Sequence, residues 1–182
     1  MARLPYIDPT TASEPVREVF AQLPVHLNVF KLMAQAETCF RPLLRLGTAI
    51  LARQKLSPKL RELAILRVAA LSGARYEWVQ HVPIAKHVGA TDAQLAAIEG
   101  GGIDAPCFDA TEQAALRLAG ELVEGVRAKD ATFGEIAQRF SPQEIVELIL
   151  AIGYYRMLAT LMETAAIDLD PPAGTKVVDA IR

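Results

Sequence analysis

Along nearly the whole chain apolar residues recur at spacings of three and four, the pattern of helices that bury one face. Val16, Val19, Phe20 and Leu23 follow Ser13 and Pro15 and end at Pro24, which predicts a first helix. A second is predicted over Val29–Ala36. A third follows Pro42, over Leu43–Arg53, where Leu43, Leu46, Ile50 and Leu51 keep helical spacing. Ser57-Pro58 sets a cap residue before a proline at the first helical position. The helix it opens runs to about Leu71 and turns Leu60, Leu63, Ala64, Val68 and Leu71 inward. Ser72-Gly73 interrupts the pattern. A further helix is predicted from about Arg75 to Gly89, a residue that takes the left-handed conformation many helix C-termini need.

Downstream, Thr91-Asp92-Ala93-Gln94 reads as a capping box for a short helix to Glu99. Gly100-Gly101-Gly102 is the flexible stretch and the candidate hinge or boundary. Asp109 to Glu112 caps a helix to about Arg127, Thr132 to Glu135 caps another to Phe140, and Ser141 to Glu144 opens the last long helix, to about Ile167. That helix is apolar on most faces from Ile145 to Leu161, the mark of burial inside a domain or between subunits. Asp170-Pro171-Pro172 stops it. No segment alternates with period two over a strand length. The expectation is an all-α single domain of about eight helices: a helical extension over 1–42, a core over 43–98, C-terminal helices over 103–168 and a tail over 169–182. Leu56-Ser57-Pro58 before Glu62-Leu63 is echoed by Phe140-Ser141-Pro142 before Glu147-Leu148; a duplicated helix unit and the ordinary use of Ser-Pro as a helix opening both account for it.

Composition narrows the class. The 182 residues carry 19 Lys+Arg against 21 Asp+Glu, a formal charge of −2, with 52% hydrophobic residues. Mixed charge and high apolar content exclude disorder, and a pI of about 5.9 argues against a nucleic-acid partner. Cys39 and Cys107 are too few and too far apart for a disulfide framework. Met1 to Pro15 lacks the apolar stretch of a secretion signal, and the longest unbroken apolar run, Leu148 to Tyr155, falls short of the ~20 residues that span a bilayer. A soluble, cytoplasmic protein with no membrane partner is expected.

Candidate chemistry is concentrated between Glu62 and His87. Glu77 and His81 lie four apart on a predicted helix, so their side chains share a face. Glu62 sits among Leu60, Leu63, Ala64 and Ile65, and meets that face if the two helices pack as a hairpin across Ser72-Gly73. Two carboxylates and an imidazole in a partly dry pocket push their pKa values apart and can pass a proton both ways near neutral pH. Desolvation and the neighbouring carboxylate would raise one Glu, while His81 would be held in one tautomer. A plainer reading stays open: an i,i+4 Glu–His pair also marks a solvated face, and Arg61, Arg67 or Arg75 could pair with Glu62. His87 falls on another face from His81, which argues against a His–His metal pair, and a Glu62–Glu77–His81 site lacks further ligands, so no metal is expected. Tyr76 and Trp78 flank the motif as pocket lining or core. Pro83 deprives the Val79 carbonyl of its usual donor. Tyr154, Tyr155 and Arg156 reach either the pocket or a subunit interface.

Leu56-Ser57-Pro58-Lys59-Leu60-Arg61-Glu62-Leu63-Ala64-Ile65-Leu66-Arg67, then Tyr76-Glu77-Trp78-Val79-Gln80-His81 and Ala85-Lys86-His87-Val88-Gly89, resembles the carboxymuconolactone decarboxylase family of the all-α alkylhydroperoxidase D-like superfamily. The likeness is strong over Leu43 to Ile98 and looser through Phe140-Ser141-Pro142 and Gly153-Tyr154-Tyr155-Arg156-Met157. The peroxidase branch implies Glu-x11-Cys-x2-Cys-x3-His, whose cysteines reduce hydroperoxides. Here that pattern falls on Glu62, Ala74, Glu77 and His81, so both cysteines are missing and thiolate chemistry has no agent. Cys39 and Cys107 lie outside it and read as buried free cysteines. The decarboxylase branch, with Glu-aromatic-x-x-His, is the better match.

That resemblance implies decarboxylation or proton transfer on a small carboxylated lactone, without a cofactor. Loss of CO₂ leaves electron density that must be delocalised and then protonated. The expectation is His81 as proton donor, Glu77 orienting it and Glu62 as a second relay group. Arg75, beside the motif, is the candidate cation for an anionic substrate, with Tyr76 and Trp78 as further substrate contacts. The family's trimers and hexamers imply a homo-oligomer. Two other classes stay open: an alkylhydroperoxidase-like antioxidant protein acting through an unrecognised thiol, and a non-catalytic helical oligomeric binding protein. Helices within residues 1–42 would reshape or cover the pocket.

Overall fold

In the computed structural model, which describes residues 2–181, every regular element is a helix. Ten run in order: α1 (Glu14–Phe20), α2 (Asn28–Met33), α3 (Glu37–Ala52), α4 (Pro58–Ser72), α5 (Arg75–His87), α6 (Asp92–Glu99), α7 (Ala110–Glu124), α8 (Asp130–Arg139), α9 (Pro142–Ala165) and α10 (Gly174–Ile181). The all-α class read from helical periodicity is the class observed.

Helix α4 is the axis. Every residue from Arg61 to Ala69 is buried, because its apolar side chains are not confined to one stripe and so cannot all be hidden by a surface position. It packs against α9, α7, α5 and α6. By length and composition α9 is the one described helix that could cross a bilayer. In this fold its Leu148, Ile152, Tyr155 and Met162 belong to the main core, while Val146, Ile149, Leu150 and Met157 are exposed. Burial on all sides, anticipated for α9, is met within the chain by α4 instead.

The capping boxes at Thr91–Gln94, Asp109–Glu112 and Ser141–Glu144 all form, each with its reciprocal pair of hydrogen bonds. Three local expectations fail for tertiary reasons. Pro42 does not precede a helix but lies inside α3; the carbonyl it leaves without a donor is that of Thr38, an exposed residue that solvent can satisfy. Thr132 is not a cap. It is buried within α8, its hydroxyl donating to Glu121 Oε1 at 2.8 Å, while Glu121 Oε2 accepts the Lys129 N–H at 2.8 Å and so caps α8 from the neighbouring helix. Residues 169–182 are not a plain tail, since they hold α10, packed on α5 and α3.

Candidate active site

The corner between α4 and α5 brings the chemistry together. Gly73 takes the left-handed conformation (φ 63°) and the Ala74 N–H returns to the Ala69 carbonyl at 2.9 Å, so α5 folds back along α4. Glu62, wholly buried in α4, then lies level with His81: its Oε2 is 2.8 Å from His81 Nδ1. Arg61 Nε donates to Glu62 Oε1 at 3.1 Å, and Arg61, itself buried, also donates from Nη1 to the Ile50 carbonyl at 3.4 Å. A carboxylate paired with a guanidinium can only accept, so the imidazole hydrogen is assigned to Nδ1 and Nε2 keeps its lone pair.

Glu77 is placed differently. It is 2% exposed, and neither carboxyl oxygen has a hydrogen-bond partner among the described residues. Burial pushes its carboxyl well above the ordinary carboxylate range, and the negative charges of Glu62 and then Glu163 push the same way. The ring of Tyr155 stands edge-on to His81, with centroids 4.7 Å apart, and Tyr154 stands edge-on to Tyr155 at 5.3 Å. Burial, then the charge of Glu62, drives the Tyr155 phenol well above its usual value. Tyr154 is pushed up to about 12, by burial first and Glu77 second. Its hydroxyl donates to the Leu43 carbonyl at 3.0 Å. That approach requires Gly47 on α3, where a Cβ would lie 2.7 Å from the Tyr154 oxygen.

Glu77, His81, Tyr154 and Tyr155 line a cavity of about 540 Å³ whose other walls include Met33, Leu44 and Leu51. Helix α10 contributes Val177 and Ile181 to the wall. It is held there by Tyr76 and Gln80 of α5. The Gln80 amide donates to the Asp170 and Pro171 carbonyls at 3.3 and 3.2 Å and accepts the Ala173 N–H at 2.9 Å, and the Tyr76 hydroxyl donates to Asp170 Oδ2 at 2.5 Å. A Cβ at Gly174 would run into the Gln80 carbonyl oxygen, so glycine permits the close seat.

Of the residues singled out by sequence, Glu62 and His81 meet directly, and Glu77 lines the cavity together with His81. The acid that orients His81 is Glu62, not Glu77, because the contact comes across from α4 rather than along α5. Arg75 is turned outward, exposed and 3.9 Å from Glu99, and is not part of the cavity wall. Arg41, Arg45 and Arg53 are the arginines that line the cavity. Tyr76 lines it as well, whereas Trp78 packs on Ala69, Ala74 and Ala159. Ala74, at the position of the first peroxidase cysteine, is buried. Cys39 is exposed rather than buried and Cys107 partly exposed, and neither lines the cavity. Among the described residues no cluster of three His, Cys, Asp or Glu side chains could hold a metal ion. Sequence reasoning missed Arg45, Gln80, Asp170 and the whole of α10. The helical spacing of Val177, Val178 and Ile181 beyond Pro171-Pro172 was the available signal for the last.

A sequence model of the carboxymuconolactone decarboxylase family matches residues 38–121, from the start of α3 into α7. Residues 38–121 belong to the carboxymuconolactone decarboxylase family. The matched segment contains Glu62, Glu77 and His81, while Tyr155 and α10 lie beyond it. No curated protein matches the chain. Among solved structures, the alkylhydroperoxidase AhpD core of an uncharacterized peroxidase-related protein from Ralstonia eutropha JMP134 superposes with a TM-score of 0.79, at 16% identity, covering 93% of this chain and 92% of that one. A peroxidase-related protein from Silicibacter sp. TM1040 gives 0.76 at 16% identity, over 97% and 95%. The debrominase Bmp8, as a variant in complex with 2,3,4-tribromopyrrole, gives 0.75 at 18% identity, over 97% and 96%. At such identities the likeness establishes the fold, an alkylhydroperoxidase D-like helical domain, and leaves the chemistry of this chain to be argued from its own residues.

Proposed function

We propose that this protein is an enzyme moving a proton on a small carboxylated substrate, by decarboxylation or by proton transfer at carbon, with Glu62, His81 and Glu77 as its working groups. One observation carries the reading: an imidazole clamped at Nδ1 by a buried carboxylate, on the same cavity as a second carboxyl with no hydrogen-bond partner among the described residues. Glu62, held by Arg61, orients His81 so that Nε2 faces away from the carboxylate and can take a proton from the substrate and return it. Glu77 is the neutral acid. Its oxygens are shielded from solvent, and rotation of its side chain carries the acidic proton to the cavity.

In decarboxylation the carbon–carbon bond to the carboxylate breaks, CO₂ leaves and the electron pair spreads into the substrate. The carbon then takes the proton of Glu77, which water replaces by way of His81. Arg45 takes over from Arg75 as the candidate cation for the substrate's anionic group: it lines the cavity without an ion pair among the described residues, whereas Arg41 is already 3.0 Å from Glu18. Thiol chemistry finds no support, because neither cysteine reaches the cavity. The proposal includes no resident cofactor and keeps the trimer or hexamer implied by the resemblance; a stable monomer in sedimentation would remove that part.

The test is turnover of carboxymuconolactone and of simple β-keto acids in D₂O, following CO₂ release and deuterium entry at carbon by NMR. Wild-type protein should give both signals, and His81→Ala should lose them while keeping its helical circular dichroism and melting transition. Silence of the wild type on the whole panel, or unchanged turnover by His81→Ala, overturns the proposal.

A further inference from the structure

We infer that Tyr155 is a further catalytic residue, whose hydroxyl hydrogen-bonds the substrate oxygen on which negative charge develops, and that the substrate therefore carries a carbonyl conjugated to the reacting carbon. The inference rests on the acid–base reading above and adds to it a group from α9, outside the family segment.

The hydroxyl inventory points to it. The chain has four tyrosines, and three of them donate within the protein: Tyr6 to Asp168 Oδ2 at 3.2 Å, Tyr76 to Asp170 Oδ2 at 2.5 Å and Tyr154 to the Leu43 carbonyl at 3.0 Å. The Tyr155 hydroxyl donates to no group among the described residues, although the side chain is only 4% exposed. A buried tyrosine ordinarily finds a partner for its O–H, and a position needing only the ring would be served by phenylalanine. The ring touches the imidazole edge-on and both line the same cavity. The partner is therefore best supplied by what enters that cavity.

The chemistry requires such a group. When His81 Nε2 takes a proton from carbon, or CO₂ departs, the electron pair moves into the adjacent carbonyl and its oxygen becomes anionic. Tyr155 donates a hydrogen bond to that oxygen and keeps its own proton. When the pair returns to carbon and the carbon is protonated, the carbonyl is restored. Burial and the neighbouring charge of Glu62 hold the phenol in its protonated, donating form throughout. Among apolar walls a preset donor of this kind acts in a medium that screens it weakly.

Tyr155→Phe keeps the ring contact and removes only the donor. Turnover of the carbonyl acids should fall by about a hundredfold to a thousandfold in kcat with little change in KM, the usual loss for one oxyanion donor. Equilibrium binding of 4-nitrophenolate, followed by its visible absorbance, supplies a second readout that a packing role would not move. Wild-type protein should favour the anion over the phenol and lower the probe's apparent pKa, and Tyr155→Phe should lose that preference. His81→Ala should keep the preference while losing turnover. No preference for the anion in the wild type, or its survival in Tyr155→Phe, overturns the inference and leaves the acid–base proposal standing. Undiminished turnover in His81→Ala overturns the acid–base proposal instead, whatever the probe shows.

Discussion

Glu62 in the middle of α4 and Glu77 in the first turn of α5 are both buried carboxyl groups beside one imidazole, yet they live in opposite electrostatic conditions. Glu62 has Arg61 at 3.1 Å and His81 at 2.8 Å, one on each oxygen. Glu77 has no hydrogen-bond partner on either oxygen among the described residues. Partners stabilise charge, while burial without partners stabilises the proton. Nearly equal depth therefore leaves one carboxyl held between a guanidinium and an imidazole and the other favouring its proton, and the reaction proposed above would divide its acid–base work between the two helices.

Removing the partnered acid should have the larger effect. Glu62→Gln leaves Arg61 buried without its counter-charge and should cost about 3–5 kcal/mol of stability, measured by urea unfolding at pH 7. If the loss is below about 1 kcal/mol, the ion pair is not what holds this region. Glu77→Met should act with the opposite sign and gain about 1–3 kcal/mol at pH 8, since it removes a buried polar group that nothing satisfies.

That gain should depend on pH. The folded-state pKa of Glu77 lies well above the unfolded value. At low pH both states hold the proton and the group costs nothing for ionisation. As pH rises past the unfolded pKa, the unfolded chain releases a proton that the folded chain keeps. Stability then falls, by at most about 1.4 kcal/mol per pH unit, until the folded group also ionises. The difference between wild type and Glu77→Met should accordingly shrink toward pH 4 and widen toward pH 8 in thermal melts. A difference independent of pH would mean that Glu77 is not the unpartnered acid described here. Smallest of all, Arg75→Ala should change stability by less than about 0.5 kcal/mol and leave turnover intact, because its contact with Glu99 at 3.9 Å is solvent-exposed.

Much of this could be read along the chain. The helix class, the three capping boxes and the break at Ser72-Gly73 are local signals, and each appears where the residues put it. Cap and period signals fail where a distant residue intervenes: Glu121 starts α8 from α7, two residues ahead of the supposed cap at Thr132. The site divides in the same way. Glu62, Glu77 and His81 stand out by residue type and spacing, but nothing in their order says which acid takes the imidazole. Arg75 looked apt because it is adjacent in sequence, while Arg41, Arg45 and Arg53, more than twenty positions earlier, are the arginines that share the cavity.

The order of residues alone determined what acts within about one helical turn: the periodicity that makes each helix, the caps that start it, the glycine that lets α4 turn into α5, and the absence of cysteine at both thiol positions. Only the tertiary structure decided which faces meet and which groups lose water: Glu62 reaching across to His81, Glu77 and the Tyr155 hydroxyl left without hydrogen-bond partners among the described residues, and α10 closing the wall through Gln80 and Asp170. The physical reason is range. Helical propensity and capping are settled between neighbours in the chain, whereas desolvation and charge pairing depend on whatever the fold brings within a few ångströms, however far apart in sequence.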